Sequence, residues 1–174
     1  MSWRAAACAG ALAVTIAQAH AATADRTKVA EIYADRVNID QQQETSRYLG
    51  NVEFNQGSVR ITGDDVLLVT PGGELQRIDI RGAPATYREI DDSGMELRAR
   101  AEKIFYDNDA AMIRLEGDAH LCRGGEYFSS VFIEYNTQTR AVNAGKRDAT
   151  SEERVRITLR PQNATTATSC DAMP

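Results

Sequence analysis

Apolar and polar residues alternate with a period of two along most of the chain. Val37 and Ile39 are interleaved with Arg36, Asn38 and Asp40, and Val52 and Phe54 with Asn51, Glu53 and Asn55. The same rhythm runs through Val59 and Ile61, through Ile78 and Ile80, and through Val155, Ile157 and Leu159, where the last three alternate with Arg154, Arg156 and Arg160. Successive side chains of a strand point to opposite faces, so each segment has one apolar and one wet face. That pattern predicts antiparallel sheet covered on a single side. Residues 97–105 are rich in alanine and charge, which suits a helix. They also alternate, with Ala99, Ala101 and Lys103 set against Arg98, Arg100, Glu102 and Ile104, and read as a strand.

Turn residues break these runs at short, fairly even intervals: Asn55-Gln56-Gly57, Pro71-Gly72-Gly73, Gly82-Ala83-Pro84, Asp92-Ser93-Gly94, Asp107-Asn108-Asp109, Gly124-Gly125 and Asn143-Ala144-Gly145. Many short strands joined by Gly, Asn and Asp turns predict an all-β fold: a sandwich, barrel, jelly roll or stacked solenoid. An internal echo accompanies them. A shift of 67 residues lays Ala34–Leu68 over Ala101–Tyr135 without a gap, matching Gly50 to Gly117, Gly57 to Gly124 and most of the apolar positions between. Repeated β units that each leave an apolar face bare must stack to cover it, so the echo predicts a two-fold repeat of a multi-strand unit.

The N-terminus is of another kind. Arg4 is followed by an uncharged, alanine-rich run and then by Ala19-His20-Ala21, the small-x-small form of a signal-peptidase site. Residues 1–21 are therefore expected to be a cleaved secretory leader, 22–160 the β domain, and 161–174, which lack periodicity, a flexible C-terminal tail.

Composition narrows the function more by exclusion than by selection. The 174 residues suffice for one domain with its own core. A formal net charge of -5, which becomes more negative once Arg4 leaves with the leader, argues against nucleic-acid binding. Three cysteines are too few for a disulfide scaffold and lack zinc-site spacing. Cys122 and Cys170 would reach an oxidising compartment where a disulfide can form. The plainer expectation is an inert buried Cys122 and an incidental tail thiol.

Catalytic chemistry is sparse. His120 is the one histidine left after the leader, which excludes a multi-histidine metal site; it reads as an ordinary polar strand position. Asp64-Asp65 and Asp91-Asp92 could serve as catalytic or calcium-binding carboxylates, but beside turns aspartate commonly satisfies backbone donors. No nucleophile elbow or phosphate loop occurs. No enzyme, cofactor, metal site or catalytic residue is expected.

The segment YLGNVEFNQGSVRITGDDVLLVTPGGE, preceded by ADRVNID, resembles the OstA-like family of periplasmic lipopolysaccharide-transport proteins. The resemblance rests on Ala34-Asp35-Arg36-Val37, Gly50-Asn51-Val52, Gly57, Ile61 with Asp64 and Val66, and Pro71-Gly72-Gly73. GAPATYRE matches the family's Gly-x-Pro-Ala-Thr-aromatic strand, and Gly117-Asp118-Ala119 with Ile133-Glu134-Tyr135 supplies a second unit. It covers roughly residues 28–160. One departure is Ser130-Val131, where the family's second unit usually has Gly-Asp.

The resemblance implies a twisted β-jellyroll, open along one edge, with an interior groove for the acyl chains of lipopolysaccharide. It also implies end-to-end self-association into a bridge across the periplasm. One end would meet an inner-membrane-anchored transport component and the other the N-terminal domain of an outer-membrane translocon. The expected groove lining is the apolar strand face: Ile32, Val37, Ile39, Val52, Phe54, Ile61, Val66, Leu68, Ile80, Tyr87, Ile104, Tyr106, Leu115, Leu121, Phe128, Ile133 and Tyr135. The expected edge strands carry Val29 and Ile32 at one end and Val155, Ile157 and Leu159 at the other. The other readings are a structural or adhesive β-solenoid that binds no lipid, a jellyroll enzyme, and the related membrane-anchored component of the same transport system.

Overall fold

The computed structural model describes residues 28–91, 93–145, 154–159 and Cys170; the expected leader and the rest of the expected C-terminal tail lie outside the described residues. The strands are β1 (Ala30–Tyr33), β2 (Arg36–Asp40), β3 (Thr45–Gln56), β4 (Val59–Val69), β5 (Arg77–Ile90), β6 (Glu96–Asp107), β7 (Met112–Arg123), β8 (Glu126–Asn136), β9 (Val142–Ala144) and β10 (Arg156–Thr158). The ambiguous stretch 97–105 lies within β6, so its alternation outweighs its helix-forming composition. Among the described residues, the only helical element beside the strands is a 3-10 turn at Pro71–Gly73.

All strands form one antiparallel sheet in the order β1-β3-β4-β5-β6-β7-β8-β10, a meander whose neighbours in sequence are mostly neighbours in space. Each end is shared by two short strands. β1 pairs with the second half of β3 and β2 with its first half, while β9 and β10 divide β8 in the same way. Among the described residues the two ends do not pair with each other, so the sheet stays open.

Every long strand is broken near its middle by a register shift: Leu49/Val52, Thr62/Asp65, Arg81/Ala85, Arg100/Lys103 and Glu116/Ala119. The breaks lie side by side across the sheet. Bulges bend a strand and raise its twist, so an aligned row of them creases the whole sheet. The residues there suit that geometry. Gly50 and Asn51 have φ of 76° and 45°, and Gly117 and Asp118 have 76° and 40°, in the left-handed region that Gly, Asn and Asp enter at least cost. These pairs stand 67 residues apart, as do Glu44 and Ala111 (52° and 49°) and Gly57 and Gly124 (60° and 54°).

The crease resets which residues face inward. In β5, Ile78 and Ile80 are buried before the break, and Ala85 and Tyr87 after it. An unbroken period of two would have put the second pair outside. The two halves of each strand thus direct one apolar face into a shared interior, where Ile61, Ile80, Ile104, Ile113, Leu115, Leu121 and Ile133 are almost inaccessible to solvent.

The surroundings of Ser130 and of Gly63 differ. At Gly63, which lies 67 residues earlier, an added Cβ would stand 2.8 Å from the Arg81 carbonyl oxygen of β5. Ser130 pairs with Ala119 of β7 on one side; on its other side no described strand is paired with it, because the β10 pairing ends at Ser129 and the β9 pairing at Ile133.

Candidate functional site: the apolar face and the open edges

The expected groove residues share one face but divide by position. Val52, Phe54, Ile61, Val66, Leu68, Ile80, Tyr87, Ile104, Leu115, Leu121, Ile133 and Tyr135 are buried against one another. Ile32, Tyr106 and Phe128 are partly covered and pack on that cluster. Val37 and Ile39 are half or more exposed, at 50% and 65%. Both sit on β2, opposite Tyr48 and Ser46, so they continue the interior face out to the open edge. The other edge is similar: Ile157 of β10, 53% exposed, lies opposite Phe128. Val29, Val155 and Leu159 are exposed just beyond the ends of β1 and β10. The exposed large apolar residues of the described chain therefore gather at the two edges, with Ile90 the exception.

The outer face is polar and closely paired. Arg47 donates to both carboxylate oxygens of Asp65, at 2.8 Å and 2.5 Å, and these bonds hold that carboxyl below the usual aspartate range. Asp91 accepts from the Ser93 and Met95 amides at 2.9 Å each. Burial pushes its carboxyl up, but these bonds, the Ser93 hydroxyl and the Arg123 charge outweigh burial and leave it lowered. Asp91 thus satisfies turn amides, as its position suggests, whereas Asp65 lies within β4 and is held by Arg47 and not by backbone donors; Asp92 lies outside the described residues.

The cysteines and the histidine depart from the plainer sequence reading. Cys122 and Cys170 form a disulfide, with Cα atoms 5.8 Å apart, where an inert thiol and an incidental tail cysteine were expected. The bond ties Cys170, which is buried, to the outer face of β7, and its amide donates to Glu96 Oε2 at 3.2 Å. Sequence reasoning missed this because the two residues are 48 apart and the tail has no periodicity to place it. His120 is buried and more fully engaged than an ordinary strand position. Its Nδ1 is hydrogen-bonded to the Tyr127 hydroxyl, and its Nε2 lies 2.9 Å from Asp118 Oδ1. No cluster of metal-ligating residues occurs among the described residues.

Comparison with known proteins agrees with this geometry. The family model described as LptA/(LptD N-terminal domain) LPS transport protein matches residues 31–141. The chain is 32% identical over 105 residues to the lipopolysaccharide export system protein LptA of Escherichia coli K12, which covers 59% of this chain and 57% of that protein. It is 29% identical over 124 residues to LptH of Pseudomonas aeruginosa, covering 70% and 71%. The crystal structure of LptH, described as the LptA homologous periplasmic component of a lipopolysaccharide transport device, superimposes with a TM-score of 0.68 at 26% identity, over 79% of this chain and 99% of that one. The chain spans a little over half the length of the Escherichia coli relative it matches. With an open antiparallel sheet creased by aligned Gly-Asn and Gly-Asp bulges, and with a family model matching residues 31–141, the chain belongs to the LptA/LptD N-terminal domain family of lipopolysaccharide-transport proteins.

Proposed function

We propose that this protein is a non-enzymatic periplasmic carrier that shelters the lipid A acyl chains of lipopolysaccharide against its apolar interior. It hands the lipid from the inner toward the outer membrane as one unit of an end-to-end bridge. The observation that carries this reading is one continuous apolar face, packed at its centre and bare at both open edges. Acyl chains gain about 0.8 kcal/mol for each CH₂ removed from water, and a face bare at its edges supports entry there. An acidic chain gains nothing from simple attraction to an anionic glycolipid, so the apolar face must provide the grip.

The edges support the assembly. Among the described residues, no further strand pairs with the outer sides of β1 and β2 at one end or of β9 and β10 at the other, a geometry suited to strand addition. The 67-residue correspondence adds a rationale when the two halves are read as copies of one unit. Val37 and Ile39 then correspond to Ile104 and Tyr106 of β6, which β5 covers inside the domain. A neighbour's C-terminal edge would cover Val37 and Ile39 in the same way. The bridge would end on an inner-membrane-anchored component at one side and on the outer-membrane translocon's N-terminal domain at the other.

Photo-crosslinking residues placed at Ile39 and Phe128 should trap lipopolysaccharide, whereas one at Glu53, on the outer face, should not. Equal labelling from Glu53 would defeat the groove assignment. Ile157→Pro disrupts the edge strand β10 and should lower the oligomer mass seen by light scattering; an unchanged mass would exclude that interface.

A further inference from the structure

The outer face carries an arrangement that neither fold nor acyl-chain binding requires. Arg60 of β4 lies directly opposite Arg88 of β5, and Arg88 lies directly opposite Arg98 of β6. Two residues further along each strand, Thr62, Thr86 and Arg100 form the next row. Like charges in register across a sheet are destabilising, so three guanidinium groups in one row run against the local rules of sheet pairing in an acidic protein. Such violations concentrate at functional sites.

Carboxylates meet part of this charge, and Arg100 reaches Asp118 Oδ2 at 3.6 Å. Glu96 alone bridges two of the three, accepting from Arg88 Nε at 2.6 Å and from Arg98 Nε at 2.8 Å. Arg60 directs its Nη1 to the Gly57 and Val59 carbonyls, 2.9 Å each. Arg60, Thr86, Arg88, Arg98 and Arg100 together line a shallow pocket, floored by the Tyr87 and Ala99 positions. The Thr86 hydroxyl, 2.6 Å from that of Thr62, offers a neutral donor at the same spot. Four arginines and a threonine lining one pocket bring together donors of the kind that bind a phosphate group's oxygens, which arginine holds bidentately.

We propose that this arginine row is a binding site for a phosphate monoester. Within the carrier reading, on which this source depends, the ligand is a phosphate on the headgroup of the transported glycolipid, held outside the interior that takes its acyl chains. Free inorganic phosphate shares the chemistry, and the test separates the two.

The mature full-length protein, labelled with ¹⁵N, is titrated with inorganic phosphate and, in separate arms, with lipopolysaccharide and with enzymatically dephosphorylated lipopolysaccharide. Arginine Nε–Hε resonances and calorimetry provide the readouts. Phosphate should shift Arg60, Arg88, Arg98 and Arg100, and Arg88→Gln combined with Arg98→Gln should weaken binding roughly tenfold or more, since two charge-assisted contacts are lost. Arg114→Gln, whose partner is Glu134 in another part of the sheet, should leave it unchanged. Circular dichroism of both variants checks the fold, and intact wild-type resonances keep the result decisive if the double variant misfolds. No arginine shift in any arm overturns the site. If dephosphorylated lipopolysaccharide binds as tightly as the intact form, with the arginine resonances still, the site falls and the carrier reading stands. If inorganic phosphate binds but neither glycolipid does, the site stands and the carrier reading falls.

Discussion

The rings of Tyr87 and Tyr106 stack with centroids 6.2 Å apart and planes within 14° of parallel. In the sheet, Tyr106 sits opposite Ile78, nine residues from Tyr87 along β5. A straight strand would separate those positions by roughly 30 Å, at about 3.3 Å per residue. The two rings can meet only because the row of bulges doubles the sheet over. The pair is therefore a direct gauge of the crease that turns a flat meander into a fold with an interior.

Tyr87→Ala should cost about 3–5 kcal/mol, the range for deleting a buried aromatic, because Tyr87 is buried where the two halves of the sheet meet. Urea denaturation followed by circular dichroism measures it. Loss of less than about 1 kcal/mol would mean that the halves hold together without this contact.

Gly63→Ala tests the crease from the backbone side. The added methyl group would meet the Arg81 carbonyl oxygen at 2.8 Å and Ile80 Cγ2 at 2.9 Å, so β4 and β5 must separate locally. About 1–3 kcal/mol of destabilisation is expected, as for other overpacked sites. Gly82→Ala faces a similar clash, with the Pro84 carbonyl oxygen at 2.9 Å, and should behave alike. Ser130→Ala adds no atom, and β7 flanks that position on one side only among the described strands, so it should cost much less in the same assay.

The disulfide closes 48 residues that include β8, β9 and β10. On the chain-entropy account a loop of that length stabilises by about 4 kcal/mol. Cys170→Ser should lower the denaturation midpoint accordingly, and reductant should lower the wild type but not the variant. A midpoint insensitive to reductant would show that the bond contributes nothing to stability.

Glu96 predicts the acid limb of stability. Burial pushes its carboxyl up, but hydrogen bonds from Arg88, from the Cys170 amide and from Arg98 outweigh burial and hold it below its ordinary value. A lowered folded-state pKa means that the unfolded chain takes up the proton first. The stabilisation is then complete above the ordinary glutamate value of roughly 4.3 and fades as pH falls through the folded value. Glu96→Gln should flatten the loss of stability below about pH 5 while lowering stability at neutral pH. An unchanged acid limb, measured by urea midpoints from pH 3 to 7, would assign that slope to other carboxylates such as Asp65 and Asp91.

Much of this protein was legible in its sequence, and the reason is local. Alternation at Val52 and Phe54 or at Ile78 and Ile80 follows from strand geometry alone, and Gly57, Gly94 and Gly124 mark turns because their positive φ suits glycine. The interior face was legible for the same reason, since burial follows alternation. What the sequence could not convey is long-range. Nothing local says that the breaks at Arg81/Ala85 and Arg100/Lys103 align into a crease, that Cys170 returns to Cys122, or that Arg60, Arg88 and Arg98 stand in one row. Those relations depend on strand register, which is set by the packing of the whole sheet. The sequence by itself determined the strands and their apolar face; the tertiary structure alone decided which residues meet across it.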